Sequence, residues 1–424
     1  MAAPAAAKRP FCWPPAAAAA AEPNKRHRTA AAAAPMDDDT AEDAEAAPSP
    51  PHRQRQQQPL LPGLPDHLAH LCLAPLPPRL LHAVCRPWRR LLYSPSFPPF
   101  LSLYAVLDDD AAAGSAGNVS FAAFDAVAGR WDDLPPPPMP SPPPRLWHPS
   151  FLSRRLPLQS VAATGRLVLV AGSTASLAPA LLRPVAFDPC SSPPRWRLGP
   201  RFPFAPRRWC AAGGARGRVF VAGGVGAGYD ASDARSGALW DPAASSAAAW
   251  EPLPPMRDRR FSRDAAEAVC SGGKVCMVSL RGRGAKEGAV FDLGAGRWED
   301  MPPGMLAGWK GSAAAGADET IFVVDEERGA LIAYDWAGDR WRTVVESERL
   351  KGAAEVAAGG GRVCVAAEGG AKVIVVDVTT QPKPTRWVGG APAAAAAPRM
   401  WEVAAPAGKR VVALHVLPRM TRPE

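Results

Sequence analysis

Residues 207–256 read RRWCAAGGARGRVFVAGGVGAGYDASDARSGALWDPAASSAAAWEPLPPM. The stretch divides into four short apolar runs: RRWCAAGGA, GRVFVAGG, GALWDP and AWEPLPPM. Alternating β-branched and aromatic residues bounded by Gly, Pro and Asp are what strands joined by tight turns require. Its centre is not isolated. An apolar residue followed by Asp, with a tryptophan six to ten residues later, recurs as Phe124-Asp125…Trp131, Phe187-Asp188…Trp196, Trp240-Asp241…Trp250, Phe291-Asp292…Trp298, Tyr334-Asp335…Trp341 and Val376-Asp377…Trp387. The second run recurs too, as RLVLVAG (166–172), RVFVAGG (218–224), KVCMVSL (274–280), TIFVVDE (320–326) and RVCVAAE (362–368). A fixed-order motif returning about every 40 to 60 residues marks a repeat architecture. Four strands per unit, repeated six times, describe a six-bladed β-propeller, whose radial repetition protects the sheet edges.

Each recurring residue has a framework role. The Asp bonds backbone amides in the turn after the third strand. The tryptophan packs between adjacent blades. Gly223-Gly224 supplies positive φ or close backbone approach where a strand ends. Pro135 to Pro138, Pro254-Pro255 and Pro302-Pro303 stop the outer strands. Two stretches, LSLYAVL (101–107) and RVVALHV (410–416), compete for one place in the closing blade. Either one lies outside it, or a partial seventh blade exists.

Upstream the pattern is different. Residues 1–59 are rich in Ala, Pro, Gln and charge, and such a segment buries too little apolar surface to offset chain entropy, so a disordered tail is expected. Within it, Lys25-Arg26-His27-Arg28 reads as a nuclear import signal or, preferably, as a solvated charge run. Over 60–100, Asp66 is placed to cap a helix that Pro75 stops. Then Leu81, Val84, Cys85, Trp88, Leu91 and Leu92 fall on one helical face, with a kink or break expected at Pro87. Two short helices are too small to stand alone and need a partner surface or the following domain. Residues 101–424 form the propeller.

Composition narrows the function. The 424 residues carry 49 Lys and Arg against 40 Asp and Glu, a net charge of +9 without a dedicated basic arm, which argues against nucleic-acid binding. None of the eight cysteines forms a C-x-x-C pair, and the propeller holds only His148 and His415, so no metal, cofactor or catalytic residue is expected. No stretch of 18 or more strongly apolar residues exists and no secretory signal is recognisable, so the protein is expected in the cytoplasm, the nucleus or both, without membrane contact.

Two blocks carry a family resemblance. The segment LPGLPDHLAHLCLAPLPPRLLHAVCRPWRRLLYSPSF resembles an F-box through Leu64-Pro65-Asp66, Val84-Cys85, Trp88-Arg89, Leu91-Leu92 and Ser94-Pro95. The repeats resemble kelch repeats through Gly-Gly after the second strand, an aromatic residue and then tryptophan. In that order the two blocks look like a plant F-box/kelch-repeat protein over about residues 60–416. The resemblance implies a non-catalytic substrate receptor of a cullin–RING ubiquitin ligase, docking a Skp-type linker. Enzymes of phenylpropanoid or flavonoid biosynthesis are one implied target class; a ligase-independent kelch scaffold is the alternative. The candidate linker-binding residues are Leu64, Pro65, Leu81, Val84, Cys85, Trp88 and Leu91.

The candidate substrate surface comes from counting. In a four-stranded meander, the loops from second to third strand share a face with the connections between blades. Ten to thirteen residues past a framework tryptophan lie Arg208, Arg260 or Arg263, Lys310, Lys351 and Arg399, while Arg155 ends the longer first connection. Trp209, Trp309 and Trp401 accompany three of these positions. A ring of cations beside aromatics favours a protein substrate with an acidic surface.

Overall fold

The structure, a computed structural model, describes residues 59–109, 119–139, 144, 158–174, 176, 178–228, 230, 232–244, 249–257, 261, 266–279, 286–379 and 397–422. Residues 1–58 with Lys25 to Arg28, and also Arg155, Arg260, Arg263 and Trp387, lie outside the described residues.

Three helices open the described chain: α1 (Asp66–Leu73), α2 (Pro78–Val84) and α3 (Arg86–Tyr93). The second helical stretch, expected to kink or break at Pro87, is broken two residues earlier. Cys85 breaks it with extended backbone (φ −155°, ψ 166°), and Pro87 falls in the first turn of α3, where its missing N–H has no intrahelical partner to lose. Asp66 does not cap α1 as expected: it is the first helical residue, after Pro65, and its side chain instead accepts from Leu60 N (3.3 Å). Leu73, Leu81, Leu91, Leu92, Phe97 and Phe100 form the core of this small module.

Six four-stranded antiparallel sheets follow. Blade I is β1 (Leu101–Asp109), β2 (Val119–Asp125) and β3 (Arg130–Asp133), completed by the last strand of the chain. Blade II is β4 (Gln159–Ala163), β5 (Arg166–Ala171), β6 (Val185–Asp188) and β7 (Arg195–Leu198). Blade III is β8 (Ala211–Ala215), β9 (Arg218–Ala222), β10 (Gly237–Trp240) and β11 (Glu251–Pro252). Blade IV is β12 (Ala266–Ser271), β13 (Lys274–Ser279), β14 (Glu287–Asp292) and β15 (Arg297–Asp300). A short helix α4 (Pro303–Gly308) leads to blade V, made of β16 (Ala313–Ala315), β17 (Ile321–Asp325), β18 (Ala330–Asp335) and β19 (Arg340–Glu346). Blade VI is β20 (Glu355–Gly359), β21 (Arg362–Ala366), β22 (Lys372–Asp377) and β23 (Met400–Ala404). Finally β24 (Lys409–Pro418) returns as the innermost strand of blade I. The two stretches expected to compete therefore lie side by side, with Leu103 opposite Val416 and Leu101 opposite Pro418. Closure joins the two ends of the propeller chain in one sheet, so blade I has four strands like the others and the ring is held shut.

The repeat residues perform the framework roles their spacing implies. Asp125 Oδ1 accepts from Val127 N and Ala128 N (2.8 and 2.9 Å), and Asp292 Oδ1 accepts from Gly294 N and Ala295 N (2.8 Å each). Asp188, Asp241, Asp335 and Asp377 likewise accept from the amide two residues on. Directly opposite each third-strand aromatic stands the tryptophan in four blades: Phe124 with Trp131, Phe187 with Trp196, Phe291 with Trp298 and Tyr334 with Trp341. Their indole N–H groups then reach the neighbouring blade. Trp131 donates to Ala404 O (2.8 Å), Trp196 to Pro135 O (2.6 Å), Trp298 to Pro254 O (2.7 Å) and Trp341 to Met305 O (3.0 Å). Each acceptor lies at or just after the previous blade's outer strand, so one side chain fills the inter-blade core and latches it. Six apolar clusters fill the six blade interfaces.

Two glycine sites show why the inner strands are so small. A Cβ on Gly214 would lie 2.3 Å from Ala162 O, and one on Gly213 would lie 2.4 Å from Ala268 O. Only hydrogen fits between the converging inner strands of blades II, III and IV. Gly224, at φ +78°, ends β9 in the left-handed region, and its N-terminal neighbour Gly223 does the same.

Blade VI departs from the expectation. Its outer strand begins at Met400, which pairs with Val376, so Met400 and not Trp387 holds the framework position. Trp401, one residue on, pairs with Val375 and packs on the other side of the sheet, against the interface with blade I.

Candidate functional site

Strand direction sorts the loops onto two faces. Turns from first to second and from third to fourth strand share one face; second-to-third loops and the blade-to-blade connections share the other. The helical module sits on the first. Val127, in the turn after β2, packs on its core, and Tyr93 at the end of α3 donates to Asp125 Oδ2. That face is thereby occupied near blade I, while the opposite face of the propeller lies away from the module.

The module exposes a run of apolar side chains. Leu64, Leu68, Leu71, Leu80 and Val84 are 37%, 40%, 70%, 47% and 52% exposed, and Pro65 is exposed beside them. Of the residues expected to bind a linker, Leu64, Pro65 and Val84 belong to this surface. Leu81 and Leu91 do not: they are buried in the module's own core. The break at Cys85 turns α2 and α3 independently, so one helical stripe no longer points one way. Cys85 and Trp88 are half-buried, and Trp88 Nε1 donates to Leu60 O (2.8 Å), tying the lead-in chain to α3. Leu68, Leu71 and Leu80 went unrecognised in the sequence, although an apolar residue at 68 and 71 shares the i, i+3 spacing that makes one helical face.

The expected ring of cations resolves differently. Arg208 is 3% exposed, with its guanidinium over the Trp209 ring at 4.4 Å, and Trp209 is itself buried at φ +59°. Trp309 is fully buried between blades IV and V. These three brace the propeller, because the connections here cross over the blade interfaces and not through solvent. Their neighbour Arg207 has the same role. It is buried, stacks on Phe204 at 3.5 Å, and donates to Gly223 O (2.6 Å), Ser236 O (3.1 Å) and Ser236 Oγ (2.7 Å). Burial pulls its pKa down to about 10, partly offset by Cys210 and Asp233.

Arg399 is exposed but precedes β23, in the third-to-fourth-strand connection on the module's face. Counting from Met400 instead of Trp387, the step reaches Arg410, next to Lys409 at the start of β24. Lys409 pairs with Asp133 (3.8 Å) and Arg410 with Asp108 (2.8 Å). Lys310 and Lys351 lie where expected, in the connections entering blades V and VI. Both are about half exposed, and each meets a carboxylate: Lys310 with Asp325 (3.6 Å) and Lys351 with Glu348 (2.8 Å). The face is therefore mixed in charge, not uniformly basic.

At the axis the six inner strands enclose a channel of about 260 Å³. Small residues such as Ala212, Gly213, Ala314 and Ala358 line most of it, with Gln159, Ser160, Glu267, Glu355 and His415 among the polar members. Glu267 Oε2 accepts from Ala313 N (3.0 Å), stitching blade IV to blade V. His415 Nε2 and Ser160 Oγ are 2.8 Å apart, joining blades I and II. His415 is half-buried facing the channel, and desolvation pulls its pKa down to about 4. Among the described residues no group of three or more His, Cys, Asp and Glu converges as a metal would require.

No protein-family model matches the chain. It is 42% identical over 377 residues to the F-box/kelch-repeat protein SKIP25 of Arabidopsis thaliana, covering 86% of this chain and 91% of that protein. It is also 25% identical over 285 residues to the F-box protein AFR of the same plant, covering 63% of this chain and 69% of that protein.

Proposed function

The chain belongs to the plant F-box/kelch-repeat family, and on that premise we propose that it is a substrate receptor of a Skp–cullin–F-box ubiquitin ligase. The three-helix module binds the Skp-type linker, and the propeller captures a target protein for ubiquitin transfer. The observation that carries the reading is the exposed apolar surface of Leu64, Leu68, Leu71, Leu80 and Val84 on a module fixed to one face of the propeller. In water such a surface is a liability that burial against a partner groove removes. Fully covering Leu71 and Val84 contributes about 2 kcal/mol each. The protein does no bond chemistry; it raises the local concentration of target lysines near the transferring enzyme.

Target capture is assigned to the face opposite the module, which carries the second-to-third loops and the blade-to-blade connections. Lys310 and Lys351 are half-exposed cations on it, and Arg155, Arg260 and Arg263 belong in sequence to connections on the same side. An acidic protein surface is the target chemistry put forward, displacing Asp325 and Glu348 from these lysines. Enzymes of phenylpropanoid or flavonoid biosynthesis enter that class by family resemblance alone. The proposed site of action is the cytoplasm, the nucleus or both.

A pull-down of purified Skp-type linker by the full chain tests the first half. Wild type retains the linker, and Leu71→Asp, at a residue 70% exposed, abolishes retention without changing thermal stability. Trp88→Ala is a poorer probe, because its indole also holds Leu60. A wild-type chain that retains no linker favours a ligase-independent scaffold.

A further inference from the structure

The chain does not end at the last strand. Beyond Pro418, residues 419–422 leave the propeller and run along the joint between blade I, blade II and the helical module. Arg419, 2% exposed, donates from its backbone to Phe100 O (2.7 Å) and from Nη2 to Ser94 O (2.9 Å) and Phe97 O (3.2 Å). Those three carbonyls belong to the connection that links α3 to β1. Thr421 donates from its backbone to Pro189 O (2.9 Å) and from Oγ1 to Ser191 O (2.5 Å), in the turn after β6 of blade II. Arg422 lies over the Tyr93 ring at 4.0 Å and donates to Asp125 Oδ2 (2.9 Å) and Asp132 Oδ2 (2.5 Å) of blade I. Its backbone N–H meets Tyr93 O (3.3 Å).

Asp125 is the meeting point. One carboxylate oxygen holds its own turn through Val127 and Ala128; the other receives Tyr93 of the module and Arg422. Burial, and next the Asp125 charge, push the Tyr93 pKa up, so the phenol stays a donor at every physiological pH. One repeat aspartate thus serves as turn, docking point and anchor at once.

We propose that residues 419–422 form a positioning strap that holds the helical module on the propeller in one orientation. A four-residue tail makes charge-assisted bonds to both bodies, while the module's own apolar contact with the propeller in this cluster is limited to Val127. The strap is also the direct continuation of β24, so the strand that closes the ring and the segment that locks the module are one piece of chain. Docking of the last strand therefore also brings the strap to the module. The inference rests on this geometry and is independent of what the module or the propeller binds.

Hydrogen exchange on the full chain, followed by mass spectrometry, tests it with Arg419→Ala combined with Arg422→Ala. Losing several charge-assisted bonds, any one of which is worth tenfold or more, should speed exchange over residues 86–100 by at least about tenfold. Exchange in β1 and β24 should stay within about twofold of wild type. Unchanged exchange over 86–100 overturns the proposal, because the module is then held without the strap. Equal acceleration of β1 and β24 also overturns it, since the segment would then only support blade closure. If the double variant does not fold, Arg422→Lys keeps the charge but loses the fork across Asp125 and Asp132. It should give a smaller acceleration confined to 86–100, and none refutes the strap.

Discussion

The tryptophan latches make a prediction that contrasts two symmetric positions. Trp298 donates its indole N–H to Pro254 O at 2.7 Å, whereas the buried Trp250 Nε1 has no hydrogen-bond partner among the described residues. Replacing either by Phe removes roughly 40 Å² of apolar surface, or about 1 kcal/mol. At 298 the lost hydrogen bond adds about 1 kcal/mol, so Trp298→Phe should destabilise by about 2 kcal/mol. At 250 the substitution also removes a buried donor whose desolvation costs about 1–3 kcal/mol, so Trp250→Phe should be neutral or stabilising. Stacking survives in both: Phe291 stays 5.0 Å from ring 298, and Phe202 and Trp240 stay 5.2 and 5.6 Å from ring 250. With an unfolding entropy that scales with chain length, 2 kcal/mol in a propeller this size lowers Tm by about 3 °C. Differential scanning calorimetry at one scan rate should place Trp298→Phe about 3 °C below wild type and Trp250→Phe at or above it. Equal losses at the two positions would refute the latch argument and reduce both rings to packing.

Gly214→Ala pushes a methyl to 2.3 Å from Ala162 O and should lower Tm by several degrees, while Gly228→Ala, with nothing within 4 Å, should change nothing; thermal melts of both decide it. His415 has a folded pKa near 4 against an unfolded value near 6.5, so the unfolded chain binds the extra proton. Stability should therefore be full above pH 6.5, fall as pH drops toward 4 and level off below, by at most about 3 kcal/mol. His415→Gln, able to keep the Ser160 contact, should flatten that part of a Tm-versus-pH curve. On the opposite face, Lys310→Glu with Lys351→Glu should reduce recovery of targets in proximity labelling under proteasome inhibition, whereas Arg399→Glu, on the module's face, should not.

Most of the fold was legible because its signals are local. An aspartate capping its own turn and an aromatic opposite a tryptophan are set by residues less than about ten apart, and both appear at the positions their spacing marks. Blade VI escaped because its third and fourth strands are separated by a long connection, so counting to the next tryptophan stopped at 387 instead of reaching Met400. That error carried Arg399 and Trp401 into the wrong places. Counting also located the blade connections correctly without revealing side-chain direction: Arg208 and Trp309 lie on them and point into the protein. The exposed face of the helical module was misread for a related reason. A helical wheel drawn through Cys85 treats α2 and α3 as one cylinder, and the extended backbone at that residue separates them. The joint built on Asp125 and Arg422 spans 297 positions in sequence, and no local pattern announces it.

The central claim is that the exposed apolar face of the helical module receives the Skp-type linker while the propeller's far face stays open. Hydrogen exchange of the full chain with and without a saturating amount of the linker tests it most directly. The account predicts added protection confined to residues 64–84, with the connections holding Lys310 and Lys351 unchanged. Protection on those connections, or none anywhere, would contradict it.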